Sequence, residues 1–137
     1  LVLERAFEVD NPYLFKTKAE VVSVIAQNGG SHLIPHSCSC AHERFKPRTQ
    51  WHCGTCSQCI DRRIAMFATG QQENDFEIDY EVDVFTGPRK EGYEKNMAVD
   101  YVRHALELNL MSDDEMVARF STELSRAVRG IPKSREV

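Results

Sequence analysis

Five cysteines occur in this chain of 137 residues, and all lie between positions 38 and 59. Three of them form Cys53-Gly54-Thr55-Cys56-Ser57-Gln58-Cys59, a C-x2-C-x2-C run. Two-residue spacing lets thiolates converge on one tetrahedral ion at about 2.3 Å each. Gly54 suits the tight turn between the first two ligands, where backbone amides can point at sulfur. Cys59 is expected in the first turn of a helix, whose partial positive charge favours thiolate. The fourth ligand must come from upstream, where Cys38 and Cys40 are both available. Four sulfurs leave no coordination position for water, which makes the expected site a structural zinc. An iron–sulfur cluster also uses four cysteines, and a redox pair at Cys53 and Cys56 is the third reading. The odd cysteine count and the absence of a βαβ pattern around the run favour metal. His36 and His42 flank the upstream cysteines and are secondary ligand candidates. His52, beside Cys53, is expected to point elsewhere. His104 is expected on a helix surface, and His32 has no expected partner.

The elements that hold this run are helices and loops. Thr17-Lys18-Ala19-Glu20 is a capping box that opens a helix over about 18–28, with Val21, Val22, Val24 and Ile25 on its apolar face and Asn28-Gly29-Gly30 as its stop. Residues 31–55 look like loop, poor in apolar material, so a metal is expected to replace the missing hydrophobic anchor. A second helix is expected over about 57–68, with Ile60, Ile64, Phe67 and Ala68 on one stripe. Arg62 and Arg63, one turn beyond Cys59, are placed to offset the net charge of a zinc tetrathiolate. The acidic stretch 71–95 offers a short strand where Phe76, Ile78 and Tyr80 alternate with Glu77 and Asp79, a turn at Gly87-Pro88, and another strand candidate lies at Leu1–Leu3. Helices three and four are expected over about 96–110 and from a Ser112…Glu115 capping box to Arg129, with Gly130 and Pro132 beyond. The short linker between them makes them antiparallel neighbours. Together they carry more apolar positions than one seam uses, which points to a homodimer or partner-subunit surface on residues 96–129.

Composition narrows the function classes. The net charge of −4 argues against non-specific nucleic-acid binding. Phe45, Lys46, Arg48, Trp51 and His52 with the two arginines could form a basic-aromatic face, but balancing metal-thiolate charge explains the same residues. No apolar run approaches the ~20 residues of a membrane span. Charged residues already at Glu4, Arg5 and Glu8 do not suit a signal peptide, so a cytoplasmic location is expected. A first residue of Leu1 suggests a piece cut from a longer protein.

Four elements in order, from about Asn11 to Gly70, resemble the C-terminal third of the 7-cyano-7-deazaguanine synthase (QueC) family. They are Thr17-Lys18-Ala19-Glu20-Val21, Ser37-Cys38, the cluster from His52 to Cys59, and Arg62-Arg63-Ile64-Ala65. The resemblance implies zinc on Cys38, Cys53, Cys56 and Cys59, with Cys40 as the substitute for Cys38. It implies a mainly α segment with a zinc-bound loop, closing an α/β Rossmann-like ATP-pyrophosphatase (adenine nucleotide alpha hydrolase-like) enzyme. The implied domains are residues 1–70, the end of that enzyme fold, and a helical extension over 71–137. The implied reaction is an ATP-dependent ligation that turns 7-carboxy-7-deazaguanine and ammonia into the nitrile of queuosine biosynthesis. Lys18, Arg62 and Arg63 become candidates for contact with substrate or phosphate, and no nucleophile or general base is assigned. The family's S-G-G-x-D-S phosphate loop is absent from this sequence, so the chain alone is expected to be inactive and to use ATP only together with that missing part. Larger relatives carry helical extensions, and some belong to bacterial anti-phage systems. A non-catalytic zinc interaction module is the remaining alternative.

Overall fold

The computed structural model describes residues 10–42 and 50–129. The Leu1–Leu3 strand candidate and Phe45, Lys46 and Arg48 lie outside the described residues. Among those described, the fold is mainly helical and contains no strand. It divides into two compact units, Leu1–Ala98 and Val99–Val137.

The first unit is built on α1 (Lys18–Gln27) and α2 (Ser57–Ala68), which pack on each other. The α1 start is the expected capping box: the Thr17 hydroxyl accepts from the Glu20 amide, and the Glu20 carboxylate accepts from the Thr17 amide at 2.7 Å. The chain leaves α1 through Gly29, whose φ of +75° suits glycine. A 3-10 turn, Ser31–His36, then interrupts the expected loop and buries Ile34. The apolar core is small: Val22, Ile34, Ala65 and Met66 are buried, with Ala19 and Ile25 packed against them.

The expected stripe on α2 is only partly the buried one. Ile60 is buried, but Ile64 and Phe67 are exposed. The inward face instead carries Cys59, Arg62, Arg63 and Met66. Two arginines can turn inward because the segment after α2 folds back and supplies their acceptors. That segment, residues 71–89, contains 3-10 turns at Gln72–Asn74 and Glu77–Asp79 in place of the expected strand. Its one sheet-like feature is an isolated parallel bridge between His52 and Tyr80, in which the His52 amide donates to Asp79 at 2.9 Å and the Glu81 amide donates to His52 at 2.9 Å. These contacts lie within the first unit, which runs to Ala98.

The described part of the second unit is helical. Helix α3 (Tyr93–Leu110) runs across the boundary between the units, and α4 (Asp113–Arg129) follows after two residues. The Ser112…Glu115 capping box forms as expected. Near the linker the helices meet through a Glu107–Arg119 ion pair at 3.0 Å and the His104 and Phe120 rings. Helix α4 is kinked at Phe120, and no residue of either helix is buried.

Candidate metal centre

The C-x2-C-x2-C run folds into a knuckle that opens α2. Cys56 is the N-cap residue of that helix and Cys59 lies in its first turn, at 0% exposure. Gly54 takes a φ of +76°, and a Cβ there would overlap the carbonyl oxygen of Val82. Only glycine meets both demands.

Sulfur atoms of Cys40, Cys53, Cys56 and Cys59 all lie within 4.8 Å of one another, and all four residues are buried. Cys53 and Cys59 are 3.9 Å apart, and Cys56 and Cys59 are 3.5 Å apart. A tetrahedral ion with bonds of about 2.3 Å requires sulfur–sulfur edges of about 3.8 Å. The group therefore has the size of one four-coordinate ion, with no room for a multi-iron cluster between the sulfurs. None of the cysteines is paired in a disulfide. The four-cysteine cluster is compatible with a metal ion such as zinc.

The upstream sulfur in this group is that of Cys40, where the family resemblance implied Cys38. The Cys38 thiol is half-exposed and donates to the Trp51 carbonyl at 3.2 Å, with the His52 Nδ1 at 4.0 Å. The chain between Cys38 and Cys40 runs inward, so the second cysteine of the pair reaches the knuckle. His42 also comes close, with its Nδ1 3.5 Å from the Cys53 sulfur. His52 itself is buried, with its ring tilted against that of Tyr80 at a centroid distance of 4.8 Å.

The surroundings act unequally on the knuckle thiols. The backbone at Ala41 and Cys59 acts to lower the Cys56 thiol, and that at Gly54 acts to lower the Cys59 thiol. The Thr55 hydroxyl lies 3.6 Å from the Cys53 sulfur. Hydrogen bonds from Cys56 and then Cys59 pull the Cys53 thiol well below its usual range, while the same sharing with Cys53 pushes Cys56 and Cys59 up. Sulfurs this close compete for protons, and a divalent cation removes the competition by holding every sulfur as thiolate. Burial, with the Arg62 charge behind it, holds His52 below the usual imidazole range and therefore neutral.

Arg62 and Arg63 are buried and committed to protein partners. Asp75, 3% exposed, is the hub. Arg62 Nε donates to its Oδ1 at 2.7 Å and Arg63 Nη1 to its Oδ2 at 3.0 Å, and the Tyr80 hydroxyl donates to Oδ2 at 2.9 Å. The other Arg62 nitrogens reach Ser37 Oγ at 2.8 Å and the Ile34 carbonyl at 3.0 Å, and Arg63 also pairs with Glu77 at 3.1 Å. With their donors engaged in this way, both side chains brace α2 against the segments on either side of it. Lys18 joins the helices: its ammonium meets Asp61 at 2.9 Å and Gln58 at 3.1 Å. Asp75, Tyr80 and Arg89 were not singled out as site residues from the sequence. The only signal for Asp75 is the need of two inward-facing arginines for a carboxylate. No protein-family model, curated protein or solved structure matches the chain.

Proposed function

We propose that this chain is the zinc-bearing C-terminal portion of an ATP-dependent ligase of the 7-cyano-7-deazaguanine synthase type, with the metal in a structural role. The observation that carries the metal assignment is the closed group of four buried sulfurs at the N-terminus of α2. No donor position is left for a reacting water, so the ion would fix the knuckle and the helix start while the chemistry takes place elsewhere. The ligase assignment rests on the four motifs shared in order with that family. The capping box, the knuckle and the arginine pair that define them pack into one unit in which Lys18 ties α1 to α2. Carboxylate activation by adenylation and the attack of ammonia would belong to the ATP-binding part, whose phosphate loop this sequence does not contain.

Metal analysis of the purified chain tests the first half: about one equivalent of zinc is expected. The distances favour Cys40 over Cys38 as the fourth ligand, so Cys40→Ser should lose the ion and Cys38→Ser should keep it. The opposite pattern would return the ligand role to Cys38. For the second half, the chain alone should release no pyrophosphate from ATP with 7-carboxy-7-deazaguanine and ammonia, while the chain joined to the ATP-binding part should. The exposed apolar residues of α3 and α4 remain a proposed surface for a second copy or a partner subunit. A strictly monomeric species at high concentration would remove the second copy from consideration.

A further inference from the structure

We propose that Arg89 is a positioning residue of the metal centre, pinning the peptide groups of the cysteine knuckle from outside. The inference rests on the metal assignment above and adds a residue to it. Arg89 Nη1 donates to the Thr55 carbonyl at 3.0 Å, and Nη2 donates to the carbonyls of Gly54 at 3.3 Å and Val84 at 2.7 Å. Gly54 and Thr55 are the two residues between the first and second cysteines. A trans peptide directs its N–H opposite to its C=O. Carbonyls held by the guanidinium therefore turn the Thr55 and Cys56 amides away from it and fix the orientation of both peptide planes between the first two cysteines. The guanidinium also places a permanent positive charge beside a centre whose four thiolates and divalent ion leave it doubly negative.

The segment that delivers Arg89 is built for the purpose. Asp83 Oδ1 accepts from the amides of Phe85 at 2.9 Å and Thr86 at 2.6 Å, and the Gly87 amide closes the turn onto the Asp83 carbonyl at 3.1 Å. A Cβ at Gly87 would overlap Val82 and Asp83, and Pro88 then fixes the backbone before Arg89. The same strap presses the Val82 carbonyl against Gly54. It thus holds the knuckle at two places, once by contact and once by hydrogen bonds. One planar fork serves three carbonyls, a task for which the compact ammonium of lysine is less suited.

The test compares wild type, Arg89→Met and Arg89→Lys as full chains. Zinc release to a chelator, the absorption of the cobalt-substituted protein and amide exchange are followed in each. In Arg89→Met, zinc affinity should fall by roughly 10- to 100-fold, the range for lost outer partners of a metal ligand. The sulfur-to-cobalt charge-transfer band should move to lower energy, because a positive charge beside the thiolates has gone. Thr55 and Cys56 amides should lose protection while those of Val22 and Met66 keep theirs. Arg89→Lys should recover part of the affinity and of the band shift. Unchanged zinc release and an unshifted band in Arg89→Met would overturn the inference and leave the metal assignment standing. So would equal loss of protection at Val22 and Met66, which would reduce Arg89 to a general stabiliser. A wild-type chain that takes up no metal would overturn both.

Discussion

Asp75 holds together the most costly group of side chains in the molecule. Arg62 and Arg63 bring two buried positive charges to its one carboxylate, and Tyr80 adds a hydroxyl. Burial, then the Asp75 charge, push the Tyr80 phenol up, so it stays protonated and serves as a donor. Glu77 contributes little to this balance, because its side chain is 79% exposed and its pair with Arg63 is screened by water. Removing Asp75 would leave two desolvated guanidinium groups without their anion. Breaking a buried pair by taking away one partner costs about 3–5 kcal/mol. Asp75→Asn is therefore expected to lower the unfolding free energy of the zinc-loaded chain by that amount, read as a shift of the denaturant midpoint. A change below about 1 kcal/mol would mean that water already shields the arginines. The cysteine run was legible in the sequence because its spacing alone encodes ligand geometry. The choice between Cys38 and Cys40 was not, since it depends on where a loop turns inward, and neither spacing nor residue type records that turn.

The helices follow the sequence expectations closely wherever a local signal marks their ends. Thr17 and Ser112 begin α1 and α4, and the expected bounds of α2 agree with the folded ones. The stretch 71–89 was not legible, because no local pattern fixes it. Its alternation at Phe76, Ile78 and Tyr80 suggested a strand, yet no neighbouring strand exists among the described residues to complete a ladder. Long-range partners decide its course: Arg62 and Arg63 for Asp75, His52 for Tyr80, and the knuckle carbonyls for Arg89. The caps also give α1 a pH dependence. Hydrogen bonds from the Thr17 amide and then the Thr17 hydroxyl hold the Glu20 carboxyl below its ordinary value of 4.5. A carboxylate with a depressed folded pKa stabilises the fold above its unfolded pKa, and that contribution disappears as pH falls through the folded value. Protection of the Thr17 amide should accordingly be constant above about pH 5 and decline in more acidic solution. Glu20→Gln retains a side-chain acceptor without a titrating group, so its Thr17 amide should lose this dependence on pH. An unchanged acid profile in that variant would assign the transition to another group.

At the scale of the whole molecule, the two units are stabilised by different means. Every residue given a role at the metal centre lies within Leu1–Ala98: the four cysteines, Asp75, Tyr80 and Arg89. Among the described residues, no helix is long and apolar enough to cross a membrane. The described part of the second unit has no buried residue, and Val102, Leu106, Leu110 and Val117 are each more than half exposed. Its described ties between α3 and α4 include one part-exposed ion pair and one ring contact, interactions worth about 1 kcal/mol or less each. Helices in proteins draw most of their stability from a packed apolar face rather than from propensity. Metal binding by the first unit should thus be independent of the second. A chain ending at Ala98 is expected to bind zinc with the stoichiometry and release rate of the full chain. Amide protection from Cys53 to Met66 should also match, although the helical signal would fall by far more than any change at the centre. Loss of zinc on truncation, with Cys53–Met66 exchanging freely, would show that the knuckle depends on the C-terminal helices. Retained zinc would locate the minimal metal-binding fold within residues 1–98, where the strap over the knuckle adds to a small core of Val22, Ile34, Ala65 and Met66.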